Sequence, residues 1–290
     1  MNILITGGTG SFGRAFARRM LLEGADRIVI LSRDEVKQAD MAEAFAPHKS
    51  RMRFFIGDVR DRDRLRRAFE GVDIVIHAAA LKRIEVGNYN PGEMVKTNIL
   101  GAMNVIEAAQ DARVSKVVAL STDKAFQPIS PYGQSKALAE SLFLNANNCS
   151  GEGGPEFAVT RYGNVAFSRG SVIPKWKEII AGGHPVPVTD PRCTRFWMTM
   201  EQACDLVFEA MVHMPKKILI PTLSAYTLRD LAKAMGAIDM TYTGLPDYEK
   251  MHESLDADHC SELAPRLTVA ELQSFLHGDL PEHRTARNAT

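Results

Sequence analysis

Ile3-Leu4-Ile5-Thr6-Gly7-Gly8-Thr9-Gly10-Ser11-Phe12-Gly13 decides the fold. An apolar run the length of a buried strand passes into Gly7, Gly10 and Gly13, and an amphipathic stretch from Phe12 to Glu23 follows. Glycines allow a tight turn and let backbone approach a pyrophosphate, while the helix N-terminus offers unpaired N–H groups and the positive end of its dipole. Gly-x-x-Gly-x-x-Gly differs from the commoner G-x-G-x-x-G, and alone it also fits a ligand-free strand–helix turn. Its place after a first strand, inside repeated βαβ units, favours a dinucleotide loop contributed by Gly7, Gly10, Ser11, Phe12 and Gly13.

The rhythm continues outward. Asn2–Ile5, Arg27–Leu31, Arg53–Ile56, Asp73–Ile76, Lys116–Leu120 and Phe157–Arg161 read as buried strands, short and rich in Val and Ile. Helical stretches lie between them at Phe12–Glu23, Glu35–Phe45, Asp61–Phe69 and Glu93–Ala109, with another after Pro131. This alternation predicts an α/β fold, a doubly wound parallel sheet of Rossmann type. Beyond Asn164 prolines punctuate shorter pieces, with helices expected at Met200–Met211 and Leu228–Met235. The expected organisation is a dinucleotide-binding domain over 1–165, a smaller irregular substrate region over 166–278, interleaved with the first or appended to it, and a flexible polar tail over 279–290.

Over 290 residues Lys+Arg and Asp+Glu are both 35, so the basic excess of a nucleic-acid binder is missing. Four cysteines without a CxxC are too sparse for a disulfide framework. No basic stretch leads into an apolar segment at the start, and no apolar run reaches the roughly 20 residues that span a bilayer. The expectation is a cytoplasmic protein without membrane or nucleic-acid partners.

Leu31-Ser32-Arg33-Asp34-Glu35-Val36-Lys37 closes the second strand. An acid on the strand end would suit the free ribose hydroxyls of NAD. Ser32 and Arg33, with Lys37 one turn on, suit a 2′-phosphate, so NADP is expected, with NAD possible. Asp34 also reads as a ribose ligand or a helix cap. Asp58 and Val59 end the third strand where the adenine edge would lie, and Ala78 and Ala79 leave room at the end of the fourth.

Tyr132-Gly133-Gln134-Ser135-Lys136 puts Tyr132 and Lys136 on one helix face. An ammonium there lowers the phenol pKa, so the tyrosine can take a hydroxyl proton as hydride leaves. The fifth strand ends Ser121-Thr122-Asp123-Lys124. Ser121 or Thr122 can bond the substrate hydroxyl, while Asp123 and Lys124 add an acid and a base that elimination needs and plain oxidation does not. The same two charges also read as a solvated loop pair.

Together Thr6–Gly13, Ser32–Glu35, Phe54–Asp61, His77–Lys82, Lys96–Asn98, Leu120–Ala125, Arg161–Val165, Ser168–Val172 and Thr194–Trp197 resemble the inverting UDP-N-acetylglucosamine 4,6-dehydratases of the extended short-chain dehydrogenase/reductase superfamily, from residue 2 to about 215. Asp123-Lys124 ahead of Tyr132 is the most specific element; retaining relatives carry Asp-Glu there. The resemblance implies oxidation at C4 by Tyr132 and Lys136, loss of the C5 proton to Lys124, loss of the C6 hydroxyl with Asp123 as acid, and a 6-deoxy-4-keto amino sugar inverted at C5. It further implies Lys82 near the nicotinamide ribose or substrate, Asn98 at the pocket, Asn164 on a diphosphate or sugar oxygen, and Arg169, Ser171, Thr189 and Arg195 at the nucleotide end of a UDP-linked amino sugar. Homo-oligomers are the family habit.

The family segment Pro-Gly-Glu-Lys-x-His-Glu departs here to Pro246-Asp247-Tyr248-Glu249-Lys250-Met251-His252-Glu253, which leaves sugar and base preference open. His252, Glu253, Asp256, Asp258, His259 and Cys260 fit no standard zinc spacing, so no metal is expected. The competing readings are a C4- or C5-epimerase on the same scaffold and a non-catalytic dinucleotide sensor.

Overall fold

The computed structural model describes residues 1–278; the polar stretch expected as a flexible tail lies outside the described residues. The chain divides into two compact units, one of Met1–Arg161 with Ala203–Ile220 and one of Tyr162–Gln202 with the chain from Pro221 onward. The first division falls four residues before the expected boundary at 165. Residues 203–220 return to the first unit because they complete its sheet.

In the first unit β1 (Asn2–Thr6), β2 (Arg27–Ser32), β3 (Met52–Ile56), β4 (Ile74–His77), β5 (Lys116–Thr122) and β6 (Glu156–Tyr162) alternate with α1 (Ser11–Leu22), α2 (Glu35–Ala44), α3 (Arg62–Phe69), α4 (Ile84–Tyr89), α5 (Pro91–Met94), α6 (Gly101–Asp111) and α7 (Pro131–Ala146). β7 (Val186–Val188) and β8 (Thr194–Phe196) belong to the second unit with α8 (Val172–Ala181). After α9 (Met200–His213), β9 (Ile218–Leu219) adds an edge strand that hydropathy did not reveal. The sheet order is β3-β2-β1-β4-β5-β6-β9, and β1 pairs parallel with both β2 and β4. The order therefore reverses between β1 and β4. A crevice opens there, at the carboxyl ends of the strands, where ligands of such sheets bind.

Strand alternation sends Leu4, Val29, Leu31, Val75, Val117 and Ala119 to one core, which Leu65, Phe69, Val105 and Phe143 close from α3, α6 and α7. Each fully buried Leu or Phe contributes about 1.5–3 kcal/mol. The single helix expected over Glu93–Ala109 is interrupted: Val95–Leu100 is π-helical. Such a bulge re-aims side chains, and Thr97 and Asn98 turn inward.

In the second unit β10 (Ala225–Thr227) runs antiparallel to β8, and β11 (Met240–Tyr242) runs parallel to β7. Ile173, Trp176, Val188, Trp197, Tyr226 and Leu272 share its core with α10 (Leu228–Ala234) and α11 (Val269–His277). The sequence did not lead to an expectation of α8 or α11. Pro174 sits in the first turn of α8, where a missing N–H costs nothing. Thr268 and Glu271 form a full capping box on α11.

At the crevice Gly7 has φ +65°, and a Cβ there would stand 2.8 Å from the Ala79 Cα. Gly7→Ala is expected to cost about 1–3 kcal/mol in a urea melt and to weaken dinucleotide binding in the same variant; wild-type behaviour in both would remove the loop from its assigned role.

Candidate active site

The glycine turn is held by two backbone bonds, Gly7 N–H to Leu31 O at 2.8 Å and Gly10 N–H to Gly7 O at 3.0 Å. Gly10 is the N-cap of α1, which has no side-chain cap and no acid in its first turn. By contrast Asp34 caps α2, Asp61 caps α3 and Ser130 caps α7. The α1 N-terminus thus keeps its N–H donors and positive dipole end for an anion, which fits a dinucleotide pyrophosphate. Ala78 and Ala79 lie half-buried on the facing strand end, as expected of residues that leave room. Phe12 stacks on Phe16 within α1, and Ser11 is the first residue of that helix.

Around the second strand end the charges are already engaged. The Asp34 carboxylate accepts from Lys37 N at 3.0 Å and is bonded by the Lys37 ammonium, which holds it below the usual range for an aspartate. The helix-cap reading of Asp34 is met in the structure. Lys37 was expected to add positive charge one helical turn on; its ammonium pairs with Asp34, because three residues of helix bring them together. Ser32 Oγ accepts from Gln38 Nε2 at 3.0 Å. Asp58 is gripped by Arg60 through Nε at 2.9 Å and Nη2 at 2.7 Å, and Arg33 reaches it only at 3.8 Å with its side chain 55% exposed. Val59 is a core residue, buried beside Ala102 and Val105.

The cluster of Thr122, Asp123, Lys124, Tyr132 and Lys136 is built by β5, the turn after it and α7. Thr122 Oγ1 donates to Asp123 Oδ1 at 2.9 Å, and Lys124 Nζ donates to the same oxygen at 3.0 Å. Asp123 Oδ2 and Ser121 Oγ are buried without a hydrogen-bond partner among the described residues. Unpartnered buried acceptors are costly unless something docks on them. Tyr132 and Lys136 are both buried on the inner face of α7. Burial pushes the Tyr132 phenol up to about 12, against the pull of the Lys124 charge and a hydrogen bond with Thr122, while Asp123 adds to the rise. Lys136 was expected to supply the pull on Tyr132. Its Nζ donates to the Leu120 carbonyl at 2.6 Å, and the Lys124 charge lowers the phenol. Burial also pulls the Lys136 ammonium down to about 8.

Several residues carried over by resemblance have other work. Asn98 was expected at the pocket. It is 2% exposed and its amide is saturated: Oδ1 accepts from Leu81 N, and Nδ2 donates to Leu81 O and Ser135 Oγ, each at 2.9 Å. It staples the loop after β4 to α7. Arg195 was expected at the nucleotide end. It is 3% exposed, bound to Glu249 at 2.6 Å and to the carbonyls of Thr194 and Met251. It holds the 249–251 segment because a buried guanidinium demands a carboxylate. Thr189 Oγ1 lies against Cys193 Sγ at 3.9 Å. Lys82, Asn164 and Arg169 are exposed, and Ser171 is the N-cap residue of α8. No cluster of three metal-ligating side chains occurs among the described residues, and none of their helices is long and apolar enough to cross a membrane.

Two contributors escaped sequence reasoning. Ser130 caps α7 through Gly133 N–H at 3.2 Å, a signal available from Ser-Pro ahead of Tyr132. Gly133 packs so near the turn after β5 that a Cβ would overlap the Lys124 carbonyl oxygen. Gly133→Ala should therefore displace α7 from Asp123 and Lys124, with turnover reduced at least about 10-fold and the far-ultraviolet spectrum retained; unchanged turnover would show that the spacing tolerates the methyl.

The chain matches the family of polysaccharide biosynthesis proteins over residues 3–268. It is 46% identical over 268 residues to the UDP-N-acetylglucosamine 4,6-dehydratase (inverting) of Campylobacter jejuni subsp. jejuni serotype O:2, covering 90% of this chain and 79% of that one. It is 43% identical over 263 residues to the UDP-glucose 4-epimerase of Rickettsia akari, covering 87% and 76%. Among solved structures, Pen from Bacillus thuringiensis superposes with a TM-score of 0.91 at 33% identity, over 96% of this chain and 98% of that one. The dTDP-glucose 4,6-dehydratase of Streptomyces venezuelae, solved with NAD and TYD, shares the fold with a TM-score of 0.78 at 22% identity, over 96% of each chain. With a family match running almost end to end, on a doubly wound sheet carrying a glycine turn and a Tyr132–Lys136 pair, the chain belongs to the polysaccharide biosynthesis protein family.

Proposed function

We propose that this protein is a nucleotide-sugar 4,6-dehydratase that inverts C5, acting on UDP-N-acetylglucosamine or a close relative with bound NADP. One observation carries the reading: Asp123 and Lys124 lie 3.0 Å apart beside Tyr132. Moving one proton from Lys124 to Asp123 turns that ion pair into a neutral amine and a carboxylic acid. These are the base and the acid that elimination across C5 and C6 requires. An epimerase that only oxidises and reduces C4 needs neither.

Gly7, Gly10, Ser11, Phe12, Gly13, Ser32, Arg33, Lys37, Asp58, Val59, Ala78, Ala79 and Lys82 are the residues assigned to the dinucleotide. A nicotinamide held by them would supply the hydride acceptor for C4 and the hydride donor for C6, and its oxidised form would add one positive charge to the pocket. Thr122 orients the C4 hydroxyl, and Tyr132 takes its proton. Added positive charge beside a buried phenol pulls it down from about 12. The ketone at C4 acidifies C5, Lys124 removes that proton, and Asp123 protonates the departing C6 hydroxyl. Reprotonation from the opposite face inverts C5. Arg169 and Ser171, at the uncapped N-terminus of α8, are assigned to the diphosphate, with Asn164 on a diphosphate or sugar oxygen and Thr189 at the nucleotide end.

NADP is favoured over NAD because Arg33 is exposed and no acid closes β2. Asp58, the nearby carboxylate, is held by Arg60. We also place the protein in the cytoplasm as a homo-oligomer, with Leu100, Met103 and Leu138 as exposed apolar residues available for self-association.

The second reading, a C4- or C5-epimerase, is favoured by the Rickettsia relative. Incubation with UDP-N-acetylglucosamine in deuterated water, followed by mass spectrometry and NMR, separates the two. Loss of one water with deuterium at C5 is expected; exchange or C4 inversion without water loss would establish the epimerase. Lys124→Ala should lower C5 exchange at least about 100-fold while dinucleotide binding persists. In calorimetric titration NADP should bind more tightly than NAD, and Arg33→Ala should weaken NADP by about 10-fold or more with NAD little affected; tighter NAD binding would reverse the cofactor assignment.

A further inference from the structure

Tyr132, Lys136 and Glu140 follow one another at four-residue intervals on α7, and all three are buried. The four-residue spacing sets them in a single row along one face of the helix. Glu140 ends that row on Arg161 of β6: Nε donates to Oε1 at 2.8 Å and Nη2 to Oε2 at 2.6 Å. The two side chains are 5% and 10% exposed, and the Phe126 ring covers the guanidinium at 5.7 Å from Cζ. Phe126 directly follows the Asp123–Ala125 turn. A buried pair of this kind often stabilises a fold no better than apolar residues of equal volume. Its place at the foot of the reactive row calls for another account.

Lys136 supplies it. Burial works against the ammonium, and Glu140 is the charge that works for it. The other groups around this part of the unit do not substitute. His77 of β4 is neutral, with its pKa near 3, and Tyr132 on the same helix is a phenol. Asp123 after β5 is bonded to Thr122 and Lys124, and Arg161 of β6 is itself positive. We propose that Glu140, locked by Arg161, is a positioning residue that keeps Lys136 an ammonium on the reactive face of α7. The inference deepens the dehydratase reading, which makes Tyr132 and Lys136 the reactive pair, yet its test does not depend on turnover.

The test is a pH titration of the full-length protein carrying ε-carbon-labelled lysine, with the Lys136 resonance identified by its loss in Lys136→Met. The wild-type midpoint is expected near 8. Glu140→Gln should lower it by at least about one unit, because Arg161 is left without its counter-charge, and Glu140→Asp should recover most of that shift. If Glu140→Gln fails to fold, the double variant Glu140→Leu with Arg161→Leu removes both buried charges in shape-filling form and should also titrate below wild type. The alkaline limb of the turnover profile should move with the midpoint. A wild-type midpoint in Glu140→Gln, or in the double variant where that is the one that folds, would overturn the proposal whether or not the sugar is dehydrated.

Discussion

The contact between Gly133 and the Lys124 carbonyl governs the chemistry of this fold. Tyr132 and Lys136 come from one element, Asp123 and Lys124 from another, and each pair is internally fixed by helix geometry or by adjacency. The remaining degree of freedom is the distance between α7 and the turn after β5. A hydrogen atom at position 133 sets that distance at the van der Waals limit. Ser130 fixes the start of the helix, and Asn98 holds Ser135 and both backbone groups of Leu81. Neither of these touches the reacting atoms; both keep α7 from sliding.

The pocket that results is hostile to charge. It raises a phenol and lowers an ammonium, which is the ordinary effect of low dielectric on ionisable groups. Proton transfer in such a place has to be arranged in pairs. Asp123 with Lys124 is one pair, Glu140 with Arg161 another, and the protein keeps each member within about 3 Å of its partner. The orphaned oxygens of Ser121 and Asp123 are the places where this economy is left open.

Much of this was legible in the chain because period and punctuation carry it. Val- and Ile-rich runs between Gly, Asp and Ser gave six strands to within two residues at either end, and Tyr132–Lys136 needs only the helical repeat to become a pair. What escaped did so for physical reasons. Ile218–Leu219 is too short to show a period. The π-helical stretch shifts Asn98 out of the phase that a 3.6-residue repeat predicts, so its inward, saturated environment was invisible. Arg195 looked like a ligand for a diphosphate because charge alone does not reveal burial; Glu249 lies 54 residues away in sequence. The direction of the Lys136 amine was equally hidden, since an i,i+4 spacing says which face a side chain shares but not which oxygen it finds.

At the far side of the crevice, Thr6 Oγ1 accepts the Ala79 N–H at 3.2 Å and contacts His77 Nδ1 at 2.8 Å. With its pKa near 3, His77 does not change state anywhere in the range where the protein would work. The wall that backs the glycine turn is thus acid–base silent, while the α7 side of the same unit titrates near neutrality. A change of acidity that reaches Lys136 on α7 leaves the charge of that wall unchanged.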